Sequence, residues 1–325
     1  MNAGRTRAGG FISLPMRRRP VPVSPRIAID TRPDAAPNLA PETDTWRNMD
    51  YFTPRTLGDA LGLLDEAKAT ILAGGTDVYP SLNGRDFSGP VVDISGIEEL
   101  RGMSWSEGGL RIGALTRWSD IRDASLPPAF DSLRHAARNV GGVQIQNAGT
   151  LAGNLCNASP AADGIPPLLT LDAKVELVSH RGRRRLALSE FLEGPRLTAR
   201  TADEILEAIH IPTPPDGGRS AFEKLGSRSY LVISIAMVAA LVERDDSGHI
   251  REARVAVGAC SPVAQRLSML EAELVGQTAD NPEIDSRHLA ALAPIDDPRG
   301  TAAYRQEAVA ELCRRAIRQA GGSHG

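Results

Sequence analysis

The sequence predicts an α+β protein of two folded domains behind a non-globular N-terminal arm, and three observations carry that reading. From Met49 to Val178 the apolar residues alternate between helical spacing and short strand-like runs. Pro212-Thr213-Pro214-Pro215-Asp216-Gly217-Gly218 then denies both helix and ladder, so a domain boundary falls there. Beyond it come a strand pair around a Gly-containing turn and one long amphipathic helix. The expected division is an arm over 1–48, a first domain over 49–215 and a second over 216–325, and 325 residues suffice for two or three compact units.

The arm carries seven Pro and seven Arg within residues 1–45 and has no apolar period, so it is expected to be disordered. A natural start at Met49 is the alternative, because Met49-Asp50-Tyr51-Phe52-Thr53-Pro54 opens the first stretch that reads as folded. Thr56 is a candidate N-cap for a helix bearing Leu57, Leu61 and Leu64, and the run Thr70-Ile71-Leu72-Ala73 predicts a strand ending in a tight turn at Gly74-Gly75. Pro90 to Ile94 and Gly109 to Gly113 predict further strands. A short helix is expected from Thr116, a longer one over Ala129 to Val140, and a strand over Lys174 to Val178. The segment from Gly141 to Asp163 reads as a Gly-rich interruption. Past the linker, Leu231 to Glu243 and Ile250 to Ala259 predict a hairpin around Asp245-Asp246-Ser247-Gly248. Tyr304, Ala308, Leu312, Ala316 and Ala320, widened by Val309, Cys313 and Ile317, predict a helix buried on one face.

Composition excludes several function classes. With 37 basic against 40 acidic residues, no polycationic surface calls for nucleic acid or anionic lipid. Three scattered cysteines, Cys156, Cys260 and Cys313, argue against a disulfide framework and against an iron–sulfur or zinc motif on this chain. The six histidines lack metal-pair spacing, so no metal is expected, and no catalytic nucleophile–base set stands out. No apolar run reaches the length of a membrane span, and the Arg-bearing start lacks a signal-peptide core, which leaves the cytoplasm as the expected location.

Two Gly-rich segments suit a diphosphate: Leu72-Ala73-Gly74-Gly75-Thr76-Asp77, and Gly149-Thr150-Leu151-Ala152-Gly153-Asn154 continuing through Ser159-Pro160-Ala161-Ala162-Asp163. Successive N–H groups in a tight turn make an anion-binding concavity, and glycine lets the chain reach unusual dihedrals and approach phosphate closely. Thr76, Thr150 and Ser159 can donate further bonds, while Asp163 can accept from a sugar-like hydroxyl. Taken singly, either segment also reads as a plain turn. No Gly-x-Gly-x-x-Gly opens a helix after a strand, and there is no Gly-Lys-Ser, so Rossmann and P-loop sites are disfavoured.

These two segments, together with Gln146-Asn147-Ala148 ahead of the second, resemble the FAD-binding medium subunit of the molybdenum hydroxylases, the xanthine dehydrogenase and carbon monoxide dehydrogenase group. The likeness runs from Met49 to about Ala320. It implies an FAD-binding domain of the p-cresol methylhydroxylase type, built of two subdomains, and a smaller α+β C-terminal domain with an antiparallel sheet and helices. It implies that Ile71, Leu72, Ala73, Gly74, Gly75, Thr76, Asp77, Val78, Thr150, Leu151, Ala152, Gly153 and Asn154 meet the FAD diphosphate. Ser159 belongs to the same site, Asp163 meets the flavin's sugar-like chain, and Lys224 lies near the ring. Lys224 is one of only three lysines, Lys68 and Lys174 being the others, and its alternative reading is a solvated surface residue. The resemblance further implies partner subunits, a large one with molybdopterin and a small one with 2Fe-2S clusters. Electrons would pass through them to FAD on this chain and on to an external acceptor.

The sequence departs from the family pattern in three places. Ala152 stands where many relatives have Gly, which a negative φ tolerates; Val140 stands where some have an aromatic beside the flavin, with Tyr230 a substitute; Ala199-Arg200 fall near a flavin-contacting Leu. Arg181 to Arg185 reads as a solvated hairpin tip, Cys156 as a small buried residue, and Trp46, Trp105 and Trp118 as too scattered for a stacking platform. Two other functions stay open at this level: a self-sufficient flavin reductase or oxidase on the same fold, and a flavin-free scaffold subunit.

Overall fold

The computed structural model describes residues 50–66, 69–229 and 231–322. The arm, Met49, Trp46 and Tyr230 lie outside the described residues. Residues Asn48–Gly325 gather into one compact unit.

The chain opens with Tyr51–Phe52 (β1), a helix Leu57–Glu66 (α1), Thr70–Leu72 (β2), a one-turn helix Val78–Leu82 (α2) and Val91–Asp93 (β3). Thr56 caps α1 as expected, accepting from the Asp59 N–H at 3.2 Å. The three strands form a small parallel sheet in the order β1-β3-β2. Leu57, Ala60, Leu61 and Leu64 on one stripe of α1 join Val92 in the main core.

Next come Met103–Ser106 (β4), Gly109–Gly113 (β5), and helices Trp118–Asp123 (α3), Asp131–Asn139 (α4), Val143–Ala148 (α5), Leu151–Asn157 (α6) and Ile165–Thr170 (α7). They are followed by Lys174–Ser179 (β6), Gly182–Ala187 (β7), Leu188–Phe191 (α8), Leu192–Gly194 (β8), Leu197–Thr198 (β9) and Ile205–Ile211 (β10). An antiparallel five-stranded sheet has the order β4-β5-β10-β6-β7, with Ile209 facing both Ile112 and Val175. Two expectations are corrected here. The segment 141–163 holds two short helices, α5 and α6, where the glycines suggested only loop. The arginine run is only partly a hairpin tip: Arg181 lies in the β6–β7 turn as expected, while Arg183, Arg184 and Arg185 lie on the edge strand β7, and Arg181, Arg183, Arg184 and Arg185 pair with Asp203, Glu207, Glu204 and Glu176.

Past the coil that holds Pro212 to Asp216 lie Arg219–Leu225 (β11), Ala236–Arg244 (β12), Ile250–Gly258 (β13), Gln265–Arg266 (β14), Ser268–Leu274 (α9) and Ala302–Ala320 (α10). The sheet order is β11-β12-β13-β14, and the expected hairpin is present, though its first strand begins at Ala236, not Leu231. β12 is apolar on both faces because both are covered. Ala236, Val238, Ala240 and Val242 pack with Val309, Leu312, Cys313, Ala316 and Ile317 of α10. Met237 and Ala239 on the other face pack with Phe222 of β11 and Ala136 of α4. In α10 the buried stripe is centred on Arg305, Val309, Leu312 and Ala316, while Tyr304 is 47% exposed.

The same alternation along β11 fixes how this sheet meets α4. The Ser220 hydroxyl donates to the Ala129 carbonyl and accepts from the Ser132 N–H, both at 2.8 Å. Two residues on, Phe222 packs on Ala136; two further, Lys224 donates to the Asn139 carbonyl at 3.3 Å, the end of α4. A period of two on the strand thus carries Lys224 inward to a helix C-terminus, where a cation is favoured.

Candidate functional site

The first glycine segment leaves β2 at Leu72 and turns into α2. Ile71 is still paired in the sheet opposite Val92, Leu72 is buried, and Ala73 to Thr76 are partly exposed, with Asp77 fully so. Gly75 has φ +68, the left-handed region that favours glycine, and the Tyr79 ring lies where its side chain would stand, 2.7 Å from a built Cβ. From Gly74 to Val78 no N–H donates a hydrogen bond among the described residues, and these groups line the turn.

The second segment has a different backbone. Gly149 follows α5, and Thr150 caps α6 by accepting from the Gly153 N–H at 3.0 Å. Leu151, Ala152, Gly153 and Asn154 are therefore the first turn of a helix, and Gly153 needs no unusual dihedral. Ala152 is buried in that helix without strain, as its place in the pattern required. Strands of coil register the segment: Trp118 N–H donates to Gly149 and Leu151 N–H to Thr116, at 3.1 Å each.

The fold joins the two segments. A Cβ on Gly74 would stand 2.1 Å from the Ala148 carbonyl oxygen and 2.8 Å from the Gly149 Cα, and one on Gly149 would stand 3.0 Å from Thr76 Oγ1. Backbone therefore lies on backbone, an approach only glycine permits. Segments more than seventy residues apart in sequence thus lie against one another, and among the described residues the N–H groups without an acceptor are those of the first, from Gly74 to Val78.

Ala158, at φ +45, ends α6 and turns the chain into Ser159 to Asp163. Asn154 Oδ1 accepts from the Gly164 N–H at 3.3 Å, which ties this turn back to α6. Asp163 is buried. Its Oδ2 accepts from Lys224 Nζ at 2.5 Å and its Oδ1 from the Ser234 hydroxyl at 2.7 Å. Burial drives the Asp163 carboxyl above the usual carboxylate range, with the Lys224 ammonium and the Ser234 hydroxyl working against it. Lys224 is 10% exposed on its side chain and ion-paired, so the solvated-lysine reading does not hold. Ser159 does not reach the other site residues; its hydroxyl accepts from the Ala161 N–H at 3.3 Å within its own turn.

Three contributors were not assigned from the sequence. Trp118, 2% exposed, is the floor beneath both Gly149 and Gly164, whose built Cβ atoms would meet its ring at 3.4 and 2.7 Å. Gln146 bridges the α4–α5 turn: its Nε2 donates to the carbonyls of Arg138 and Val140, and its Oε1 accepts from Arg122. Ser234 supplies the second bond to Asp163. Val140 packs against the core, Arg200 is bonded to Thr201 and Glu204 carbonyls, and burial raises the Cys156 thiol to about 11.

Residues 47–214 match the family model described as the FAD binding domain in molybdopterin dehydrogenase, and residues 220–320 match that of the CO dehydrogenase flavoprotein C-terminal domain. The chain belongs to this flavoprotein family. It is 35% identical over 283 residues to the xanthine dehydrogenase FAD-binding subunit of Escherichia coli O157:H7, covering 83% of this chain and 95% of that one. It is 36% identical over 238 residues to the nicotinate dehydrogenase FAD-subunit of Eubacterium barkeri, covering 71% and 80%. A chain of the crystal structure of the Cu,Mo-CO dehydrogenase in its cyanide-inactivated form superposes with TM-score 0.79 at 28% identity, covering 84% of this chain and 98% of that one. The α+β architecture expected from the sequence is therefore that of the family's FAD-binding and C-terminal domains.

Proposed function

We propose that this chain is the FAD-binding medium subunit of a heterotrimeric molybdenum hydroxylase. In this reading residues 49–215 form the FAD-binding domain and 216–325 the C-terminal domain. The observation that carries it is the contact of Gly74 with Ala148 and Gly149, which sets the first segment's turn, with its N–H groups from Gly74 to Val78 that donate to no described residue, against the segment that leads through α6 to Asp163 and Lys224. The residues fit FAD by the chemistry of the donor set. Gly74 to Val78 offer N–H donors to a diphosphate, with the hydroxyls of Thr76 and Thr150, while in the second segment the Leu151, Gly153 and Asn154 N–H groups are taken up by Thr116 and Thr150. Asp163 retains lone pairs that would accept from a ribityl or ribose hydroxyl, and the Lys224 ammonium it holds would be the cation the site offers the flavin. Trp118 beneath Gly149 excludes water from the back of the site.

Bound FAD supplies the redox chemistry, taking electrons from iron–sulfur clusters and passing them to an external acceptor. The chain's own work is to bind and orient it. Molybdopterin and the 2Fe-2S clusters belong to a large and a small partner subunit, where substrate is oxidised. Three free thiols, Cys156, Cys260 and Cys313, suit a reducing compartment, and we place the protein in the cytoplasm. Among the described residues no helix is long and apolar enough to cross a membrane.

The test is expression of the chain alone and with its genomic neighbours. Stoichiometric FAD on the lone chain, no turnover with generic substrates, and turnover only in a three-subunit complex are expected. Substrate turnover by the lone chain would establish a self-sufficient flavoenzyme instead.

A further inference from the structure

Arg305, near the start of α10, is 1% exposed. Its Nη2 donates to Asp297 Oδ1 at 2.6 Å, and its Nη1 donates to the carbonyls of Ile235 and of Ala259, the latter at 3.2 Å. Its Nε finds no acceptor among the described residues. A buried guanidinium with an unused donor is a poor source of stability, since apolar side chains of similar volume commonly serve as well.

The two carbonyls point to a different role. Ile235 follows Ser234, whose hydroxyl holds Asp163 Oδ1. Ala259 is at φ +63, a conformation that strains a residue with a Cβ, and its N–H donates to the Pro160 carbonyl at 2.9 Å. One guanidinium therefore grips two backbone segments, and each segment is one hydrogen bond from the Ser159–Asp163 turn. They reach that turn from different strands, β12 and β13. The β12–β13 ladder, with Met237 opposite Gly258, and the Cys260 thiol, 4.0 Å from the Ile235 carbonyl, join the same segments, but among the described residues Arg305 is the charged group that bonds both carbonyls.

We propose that Arg305 is a positioning residue for the flavin site. It clamps the Ile235 and Ala259 carbonyls so that Ser234 holds Asp163 and the Ala259 N–H holds the Pro160 carbonyl of the same turn, keeping Asp163, and through it the Lys224 ammonium, in the arrangement that receives FAD. The proposal rests on the assignment of Asp163 and Lys224 to that site. It makes the C-terminal helix part of the cofactor site without touching the cofactor.

The experiment compares the full-length chain with Arg305→Met, Arg305→Lys, Ser234→Ala and the double variant Arg305→Met/Ser234→Ala. FAD dissociation constants are measured by fluorescence titration, the absorption spectrum of the bound flavin is recorded, and circular dichroism checks folding. Arg305→Met should weaken FAD about tenfold, about 1.4 kcal/mol, and shift the bound-flavin spectrum in the same direction as Ser234→Ala. Arg305→Lys should recover part of both. The double variant should be little weaker than the worse single one, because both act on Asp163. A folded Arg305→Met chain with wild-type affinity and spectrum would overturn the clamp, as would losses that multiply in the double variant. If Arg305→Met does not fold, Arg305→Lys and Asp297→Asn decide the matter: smaller shifts in the same direction support the proposal, and wild-type values for both overturn it. A wild-type chain that binds no FAD would remove the functional reading itself, an outcome distinct from normal binding by the Arg305 variants.

Discussion

Gly74→Ala is the substitution whose consequence follows most directly from the geometry. The new methyl would stand 2.1 Å from the Ala148 carbonyl oxygen, 2.7 Å from its carbon and 2.8 Å from the Gly149 Cα, all backbone atoms that cannot rotate away. A carbon–oxygen contact needs about 3.3 Å, so the two segments must part by roughly 1.2 Å. Overpacking of this kind costs about 1–3 kcal/mol of stability, a fall of several degrees in Tm for a chain this long. Losing even one charge-assisted hydrogen bond to the diphosphate costs a further ~1.5–3 kcal/mol of binding, which is about 10- to 150-fold in Kd. Gly62→Ala, on α1 and outside the site, is the control. Its methyl meets no atom within 4 Å, and replacing a helical glycine by alanine stabilises by up to about 1 kcal/mol, so the fold is kept and FAD affinity should not change. The assay is flavin fluorescence titration of both variants beside thermal unfolding of the apo chain. Wild-type affinity in Gly74→Ala, or equal loss in Gly62→Ala, would refute the joined-segment account.

Other expectations follow from the charges and thiols. Because burial raises the Asp163 carboxyl, its contribution to stability is present below the ordinary carboxyl pKa of about 3.9 and is lost as pH rises through the raised value. Lys224→Met removes the opposing cation and raises the carboxyl further, so its apo Tm should fall progressively below wild type as pH rises through the raised wild-type value, whereas Asp163→Asn should flatten that profile; parallel curves for all three would exclude the pair as the cause. Asp297 is held down to about 2, first by its hydrogen bond from Arg299 and also by Arg305. Its contribution is therefore present above about pH 3.9 and lost toward about pH 2, and acid unfolding of Asp297→Asn should lack that component. Burial raises the thiols of Cys156 and Cys260 to about 11 and that of Cys313 still higher. A thiol reagent near pH 8 should label the native chain slowly and all three cysteines at once on unfolding; fast labelling of Cys156 would contradict this.

Much of this was legible in the sequence, for reasons that differ by residue. The β2 strand and its Gly74-Gly75 turn follow a β-favouring run with the strongest turn signal, and Gly75 does take the positive φ that such a signal implies. The helix α6 was hidden because Gly153, Asn154 and Asn157 are weak helix formers, and Ala158 takes the left-handed C-cap place where glycine is usual. Only Thr150, a good N-cap, hinted at it. Lys224 could have been read as inward-facing from the alternation Ser220, Phe222, Lys224, had β11 been recognised as a strand. Ser234 and Arg305 carry no such signal. Ser234 lies in coil before β12, and Arg305 interrupts an apolar stripe, so each is explained only by its distant partners Asp163 and Asp297. Trp118, set aside as a scattered aromatic, gains its role from Gly149 and Gly164, which only the folded chain brings beneath and beside it.

The central claim is that the merged glycine segments, with Asp163 and Lys224, bind FAD. Its most direct test is the absorption spectrum of the chain purified alone, followed by denaturation and identification of the released flavin. The account predicts one FAD per chain, lost in Gly74→Ala and retained in Gly62→Ala. A chain that stays colourless after incubation with excess FAD would contradict it.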